Sequence, residues 1–304
     1  MYRNIKAAVV GSINADLILR TERVPLSGES LTGIGYGHAN GGKGANQAIG
    51  LARLGARTKM IGKVADDENG RMLIDNLSKN GVDVSCVSTD GSQTGLAAII
   101  LDAEGKNRII VYEGANAEII PSYAADCITD DLDLLLVQFE TREETVIVAV
   151  NRAIEKGITT VIDCGPAKQF ALEKMQGATV ISPNETETEA LTGIYPESNE
   201  DILKASEILA DRSKAKFVVI KLGERGCSVF DGKTLRILPA YKGEVVDTTA
   251  AGDCFTAAMA LEFIRSGNIY SACDIGNKAG CIAVGRMGAD ASMPTAQDIE
   301  NFKQ

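Results

Sequence analysis

The chain has 304 residues, with 31 lysines and arginines against 41 aspartates and glutamates and a formal net charge of −10. Its composition is that of an ordinary globular protein, 45% hydrophobic and 24% charged, and its acidity excludes a broad basic face for nucleic acid, whose phosphates reward clustered Lys and Arg. The single histidine, His38, excludes a His-rich metal cage. The seven cysteines are odd in number and contain no Cys-x-x-Cys pair, which argues against a disulfide framework or zinc ribbon and for free thiols in a reducing compartment.

The chain begins Met1-Tyr2-Arg3-Asn4-Ile5-Lys6 and runs into an apolar stretch at 7–10. That stretch is too short for a signal-peptide core, and no later run approaches a membrane span, so a cytoplasmic protein without a membrane partner is expected. Short branched apolar runs at 7–10, 60–64, 134–137, 160–162, 179–181 and 217–220 predict buried strands. Helices are predicted at 45–54, at 143–156 with Ile147, Val150 and Ile154 on one face, and at 201–211 with Ile202, Ala205 and Leu209 on one face. Such alternation implies an α/β fold with a mostly parallel sheet covered on both faces. Two stretches break it. Residues 12–36 contain no good helix, and runs at 95–101 and 108–112, joined by Asp102-Ala103-Glu104-Gly105, predict a hairpin. The expectation is one domain over 1–304, with strands of a small β-sheet lid inserted from about 12–36 and 93–115. Helices return after Ala250, including an Ala/Gly-rich segment at 275–285.

Chemistry-bearing residues follow the same order. Gly11-Ser12-Ile13-Asn14-Ala15-Asp16 leaves the first strand, and Asn14 and Asp16 share one face of an extended segment by the period-two rule. They suit a polyhydroxylated ligand, or else plain turn chemistry. The cluster Gly37-His38-Ala39-Asn40-Gly41-Gly42-Lys43-Gly44-Ala45-Asn46-Gln47 nearly matches a P-loop, but Gly44 stands where the Mg²⁺-binding hydroxyl belongs, and no dinucleotide fingerprint fits. It reads as a glycine-rich turn into a helix that lets a polar ligand approach. Asn184-Glu185-Thr186-Glu187 opens a helix, as a cap or as oxygen ligands for a hydrated Mg²⁺. Lys221-Leu222-Gly223-Glu224-Arg225-Gly226 ends a strand in a glycine turn suited to pass close to phosphates. In Asp247-Thr248-Thr249-Ala250-Ala251-Gly252-Asp253-Cys254-Phe255, small residues open a helix whose first N–H groups form an anion site without lysine. Asp253 there is either an ordinary helix-start acid or a base for a hydroxyl as a phosphoryl group arrives.

In this order, the segments at 11–16, 41–48, Glu140, 184–187, 223–226 and 247–253 resemble the ribokinase family of carbohydrate kinases, the PfkB-type group, over nearly the whole chain. The resemblance implies a central sheet flanked by helices, a small β-lid that also forms a homodimer contact, and transfer of the γ-phosphate of ATP to the 5-hydroxyl of D-ribose. By motif, Ser12, Asn14, Asp16, Gly41, Gly42, Lys43, Asn46 and Glu140 would hold the sugar, with Asp253 as base and the backbone of Ala250, Ala251 and Gly252 as anion hole. Asn184 and Glu187 would serve the metal–phosphate side with Mg²⁺, while Lys221, Gly223, Gly226 and Asn277 would line the nucleotide. Asp247, Thr249, Ala283, Arg286, Gly288 and Ser292 would bind an activating monovalent cation, usually K⁺, mostly through backbone oxygens. The runner-up is a deoxyribokinase or another sugar or nucleoside kinase on the same scaffold. Three sites depart from the family pattern: Asp163-Cys164-Gly165-Pro166-Ala167 stands where Asn-Pro-Ala-Pro-Ala is common, Asn40 where an aromatic or apolar residue is usual, and Asn277 where histidine is frequent. None of the three is expected to touch the catalytic set.

Overall fold

The structure, a computed structural model, describes residues 2–303; Met1 and Gln304, the ends of the expected domain, lie outside the described residues. In chain order the strands are β1 (Lys6–Val10), β2 (Asn14–Arg20), β3 (Gly35–Gly41), β4 (Arg57–Ala65), β5 (Asp83–Gly91), β6 (Gly95–Leu101), β7 (Asn107–Tyr112), β8 (Leu134–Gln138), β9 (Thr159–Asp163), β10 (Val180–Ser182), β11 (Phe217–Lys221), β12 (Cys227–Phe230) and β13 (Leu235–Leu238). The helices are α1 (Lys43–Arg53), α2 (Glu68–Lys79), α3 (Pro121–Asp126), α4 (Glu143–Glu155), α5 (Glu185–Thr192), α6 (Asn199–Ser213), α7 (Ala251–Ser266), α8 (Ile269–Val284) and α9 (Ala296–Glu300).

Nine strands form one sheet in the order β13-β12-β11-β10-β9-β8-β1-β4-β5, parallel except where β12 pairs with β11 and with β13. Both faces are buried, and the period-two rule assigns residues to them. Ala7, Val9, Leu134 and Leu136 pack with residues of α1, α2, α7 and α8. Ala8, Val10, Leu135 and Val137 pack on the opposite side with residues of α3, α4 and α6. Six of these strands coincide with the predicted apolar runs. The helices α2 and α3 and the strands β5, β12 and β13 were not predicted.

A second sheet has the order β3-β2-β6-β7, two antiparallel pairs joined by a parallel β2–β6 contact. The predicted hairpin is β6 and β7. One expectation needs correcting: Gly37–Gly41, read as part of a turn, lies within β3, where every residue pairs with β2. The turn is confined to Gly42, and the small sheet reaches past residue 36.

Candidate active site

In parallel sheets ligands gather at the carboxyl ends of strands where the chain direction switches. Here β1 lies between β4 and β8, and its carboxyl end leads directly into β2 of the small sheet. The site residues collect at that edge.

At one end, α1 packs almost onto the backbone of β1's exit. A Cβ on Gly44 would stand 2.7 Å from both the carbonyl carbon of Gly11 and the amide nitrogen of Ser12, so only glycine permits the approach. Gly42 has φ +90°, open to glycine at little cost. The start of α1 is then filled from within. Lys43 N–H donates to Glu140 Oε2 at 3.0 Å, Ser12 Oγ also donates to Glu140, and Ala45 N–H donates to the Ser12 carbonyl at 2.9 Å. Asn14 Oδ1 accepts from Asn116 Nδ2 at 2.7 Å, and Asn116 Oδ1 accepts from Ile13 N–H at 2.9 Å. Asn14, Val111, Glu113, Asn116, Glu140 and Pro166 line a cavity of about 130 Å³ between the sheets. Asp16 packs against Gly41, and burial first, then Glu140 and Asp290, push its carboxyl up to about 7. The buried Oδ1 of Asn46 has no partner, leaving an acceptor for a ligand hydroxyl.

At the other end stands Asp253, buried in the first turn of α7. Its Oδ1 accepts from Gln47 Nε2 at 3.0 Å and Lys43 Nζ at 3.3 Å, and its Oδ2 from Asn46 Nδ2 at 3.0 Å. Burial alone would lower the Lys43 pKa, but Asp163, Asp253, Glu187 and Glu140 together outweigh it and hold the ammonium protonated. Gln47 also donates to Asp163 Oδ2 at 3.1 Å and accepts from Gln138 Nε2 at 2.6 Å. Asp163 therefore shares partners with Asp253, contrary to the expectation that the departures from the family pattern lie off the catalytic set.

Ala250 opens α7 with φ 60° and no side-chain cap. This left-handed conformation is costly for a residue with a Cβ. Among the described residues, no protein acceptor takes the N–H of Gly252 or Asp253. Lys221 Nζ lies 4.0 Å from where a Cβ on Gly252 would stand. Asn184 and Glu187 form a reciprocal capping box on α5, Asn184 N–H donating to Glu187 Oε2 at 2.7 Å and Glu187 N–H to Asn184 Oδ1 at 2.9 Å. Burial raises the Glu187 carboxyl above its ordinary value, Asp163 adds to this, and Lys221 and Lys43 oppose it. Gly223 and Gly226 both have positive φ in the turn after β11, where Gly226 accepts from Leu222 N–H at 2.8 Å. Asn277 is tied to the end of β13, donating to the Pro239 carbonyl at 3.2 Å.

The six residues expected to bind a monovalent cation lie along the 247–249 and 283–292 segments. Asp247 accepts from Thr249 N–H at 2.9 Å and from Gly288 N–H at 2.9 Å, which ties the two segments together. Val246 and Asp247 N–H donate to the Val284 carbonyl, and the Ala283 carbonyl accepts from Arg286 N–H at 2.9 Å. The Arg286 guanidinium turns away to Asp298 at 2.9 Å, and Ser292 Oγ donates to the Ala289 carbonyl at 2.7 Å. Among the described residues, no group of three His, Cys, Asp or Glu side chains is placed to hold a metal.

Asn116 and Gln138 were not predicted. Their partners lie 102 and 91 residues away in sequence, so no local pattern marks them.

Buried carboxylates facing an open helix start, beneath a second sheet, suit group transfer to a hydroxyl-rich acceptor. The chain belongs to the pfkB family of carbohydrate kinases, whose model matches residues 4–296. It is 36% identical to the ribokinase of Bacillus subtilis over 303 residues, covering 99% of each chain. It is 30% identical to the deoxyribokinase of Salmonella typhi, covering 97% of each. Among solved structures it is similar to the ribokinase of Arabidopsis thaliana complexed with ribose and ATP, with TM-score 0.89 and 29% identity over 98% of this chain and 99% of that one.

Proposed function

We propose that this enzyme transfers the γ-phosphoryl group of ATP to the 5-hydroxyl of D-ribose, giving ribose 5-phosphate and ADP. The observation that carries the reading is Asp253, buried beside the unpartnered N–H groups of α7 and gripped by Lys43, Asn46 and Gln47. The sugar hydroxyl gives its proton to the Asp253 carboxylate while its oxygen forms the new bond to phosphorus. The bond from phosphorus to the ADP oxygen breaks, and ADP leaves with that electron pair. Charge on the moving phosphoryl oxygens is met at the positive end of the α7 dipole by the backbone N–H groups of Ala250 and Gly252, and by that of Ala251 once it exchanges its 3.3 Å bond to the Thr248 carbonyl for the phosphate.

Ser12, Asn14, Asp16, Gly41, Gly42, Lys43, Asn46 and Glu140 hold the sugar. Carboxylates and amides in this density match a ligand that offers several hydroxyls at once. Lys221, Gly223, Gly226 and Asn277 line the nucleotide, with Gly252 at its phosphate end. Mg²⁺ bound with ATP would shield phosphate charge, and Asn184 and Glu187 would receive its water shell; each Glu187 oxygen keeps lone pairs beyond the capping bonds. For K⁺ the residues also fit, because Arg286 directs its charge to Asp298 and leaves its carbonyl, with those of Ala283, Gly288 and Ser292, to join Asp247 and Thr249. The small sheet acts as a lid that excludes water, without which ATP would be hydrolysed. Its edge strand β7 carries exposed Ile109, Ile110, Val111 and Tyr112, Ile110 being 69% exposed, an unpaired apolar edge suited to a homodimer. No helix among the described residues is long and apolar enough to cross a membrane, and the seven cysteines are unpaired, which favours the cytoplasm.

The test is ATP consumption with ribose, 2-deoxyribose, fructose and adenosine, each in K⁺ and in Na⁺ buffer. Ribose should give the highest kcat/KM, and K⁺ the faster rate. Preference for 2-deoxyribose would move the assignment to the deoxyribokinase reading, and equal rates in the two salts would remove the cation role.

A further inference from the structure

Asp163 ends β9 with no exposed surface and makes more polar contacts than any role assigned above requires. Its Oδ2 accepts from Lys221 Nζ at 2.8 Å, Thr256 Oγ1 at 3.0 Å and Gln47 Nε2 at 3.1 Å. Its Oδ1 accepts from Gly165 N–H at 3.1 Å and lies 3.5 Å from Lys43 Nζ. These partners are unequal in their dependence on it. Lys43 and Gln47 are also held by Asp253. Lys221 has no other carboxylate within ion-pair distance among the described residues. A buried lysine has many rotamers to lose and no acceptor of its own, so a single anion fixes where this ammonium stands.

We propose that Asp163 is a positioning residue of the phosphoryl transfer: its carboxylate holds the Lys221 ammonium beside the first turn of α7, where the γ-phosphoryl group arrives. This rests on the reading of the α7 start as the anion site. Burial alone would raise the Asp163 pKa, but Lys221 and Lys43 outweigh it, so the anion persists at neutral pH. The geometry of Gly252 agrees with the placement, since a Cβ there would stand 4.0 Å from the Lys221 ammonium, which puts the cation against the first turn of α7. An Asn at 163 keeps the shape and one acceptor but loses the charge that restrains Lys221.

The experiment is a double-mutant cycle of Asp163→Asn and Lys221→Met, read on kcat, sugar KM, and ATP affinity measured by calorimetry without sugar. Asp163→Asn alone should lower kcat by about 10- to 100-fold, the scale of a misplaced catalytic group, with sugar KM within about twofold of wild type. In the Lys221→Met background the same change should alter kcat and ATP affinity by no more than about twofold, because the group it positions is gone. Multiplicative effects, or a single variant with wild-type kcat, overturn the proposal. If no sugar is phosphorylated, the functional reading fails separately, and the ATP-affinity cycle still decides: coupling between the two positions supports positioning and additivity refutes it. Should Asp163→Asn fail to fold, Lys221→Arg carries the test, since it keeps the charge and the pair with Asp163 but moves the cation. A kcat lowered by about tenfold or more with unchanged sugar KM is then expected, and a wild-type kcat would refute the proposal.

Discussion

The helices α1 and α7 both begin from a residue of positive φ and with no side-chain cap: Gly42 at φ 90° and Ala250, in the left-handed helical region, at φ 60°. The helices α2, α5, α6, α8 and α9 have side-chain caps, from Asp67, Asn184, Ser198, Asn268 and Thr295, while α3 and α4 lack them but start from Ile120 and Arg142 at negative φ. The two starts then diverge. That of α1 is closed by Glu140 and Ser12, whereas among the described residues the N–H groups of Gly252 and Asp253 have no protein partner. A closed start fixes side chains, and an open one keeps donors for an anion. Lys43, Asn46 and Gln47 hang from the closed start and reach across to Asp253 at the open one. The left-handed alanine adds a second contrast, because it retains backbone strain at a start whose Gly252 and Asp253 N–H groups meet no protein acceptor among the described residues.

The hardest test of this division is the carboxylate between the two starts. Asp253→Asn keeps the acceptor for Asn46 or Lys43 but removes the proton sink. We expect kcat to fall by about 10²- to 10⁴-fold, the range for a positioned base, with sugar KM little changed. Steady-state kinetics against sugar and ATP check this. Unchanged turnover would move the base elsewhere, and a large rise in sugar KM with intact kcat would make Asp253 a binding residue.

The sequence carried this arrangement unevenly, for physical reasons. Strands such as β1, β8 and β11 are buried on both faces and therefore stand out as apolar runs. The edge strands β5 and β13 are partly or largely exposed, and their mixed composition hides them. Strand β3, Gly-Tyr-Gly-His-Ala-Asn-Gly, has the composition of a turn and becomes a strand only through its seven pairings with β2. Asn14, Asp16, Lys43, Asn46 and Asp253 were legible because each sits in a local motif next to a strand end or helix start. Asn184 and Glu187 were legible too, and their observed bonds are those of a cap. Asp163 stood out in sequence only as a deviation, since its partners on α1, α7 and β11 meet only in the folded chain.

A pH profile probes the sugar end beside the closed start. Asp16 has its carboxyl raised to about 7 by burial, Glu140 and Asp290, well above an ordinary aspartate at 3.8. Between those values the folded state binds more protons than the unfolded one, so this group's contribution to stability falls as pH rises through the window. For sugar binding the sign reverses, because an ionised Asp16 is the better acceptor of hydroxyl protons. Sugar KM should be flat above pH of about 7 and rise below it, approaching about tenfold per unit. Asp16→Asn should flatten the profile, and a flat wild-type profile would remove Asp16 from the sugar's grip.

Two glycine-to-alanine changes set the two helix starts against each other with the smallest perturbation. At Gly44 the new methyl would lie 2.7 Å from backbone atoms of Gly11 and Ser12, neither of which can rotate away, so α1 must move off the exit of β1. Overpacking of this kind costs about 1–3 kcal/mol, and the urea midpoint should fall accordingly. At Gly252 the nearest atoms are Lys221 Cδ at 3.9 Å and Nζ at 4.0 Å, ordinary contact distances, and helix propensity favours alanine by up to about 1 kcal/mol. Gly252→Ala should therefore leave the urea midpoint unchanged or slightly raised while weakening ATP binding, since the methyl intrudes on the space the open N–H groups face. A stable Gly252→Ala enzyme with wild-type ATP affinity and turnover would mean that this space is not where the phosphates lie. A Gly44→Ala enzyme of undiminished stability would mean that the tight seat of α1 on β1 is not what closes its start.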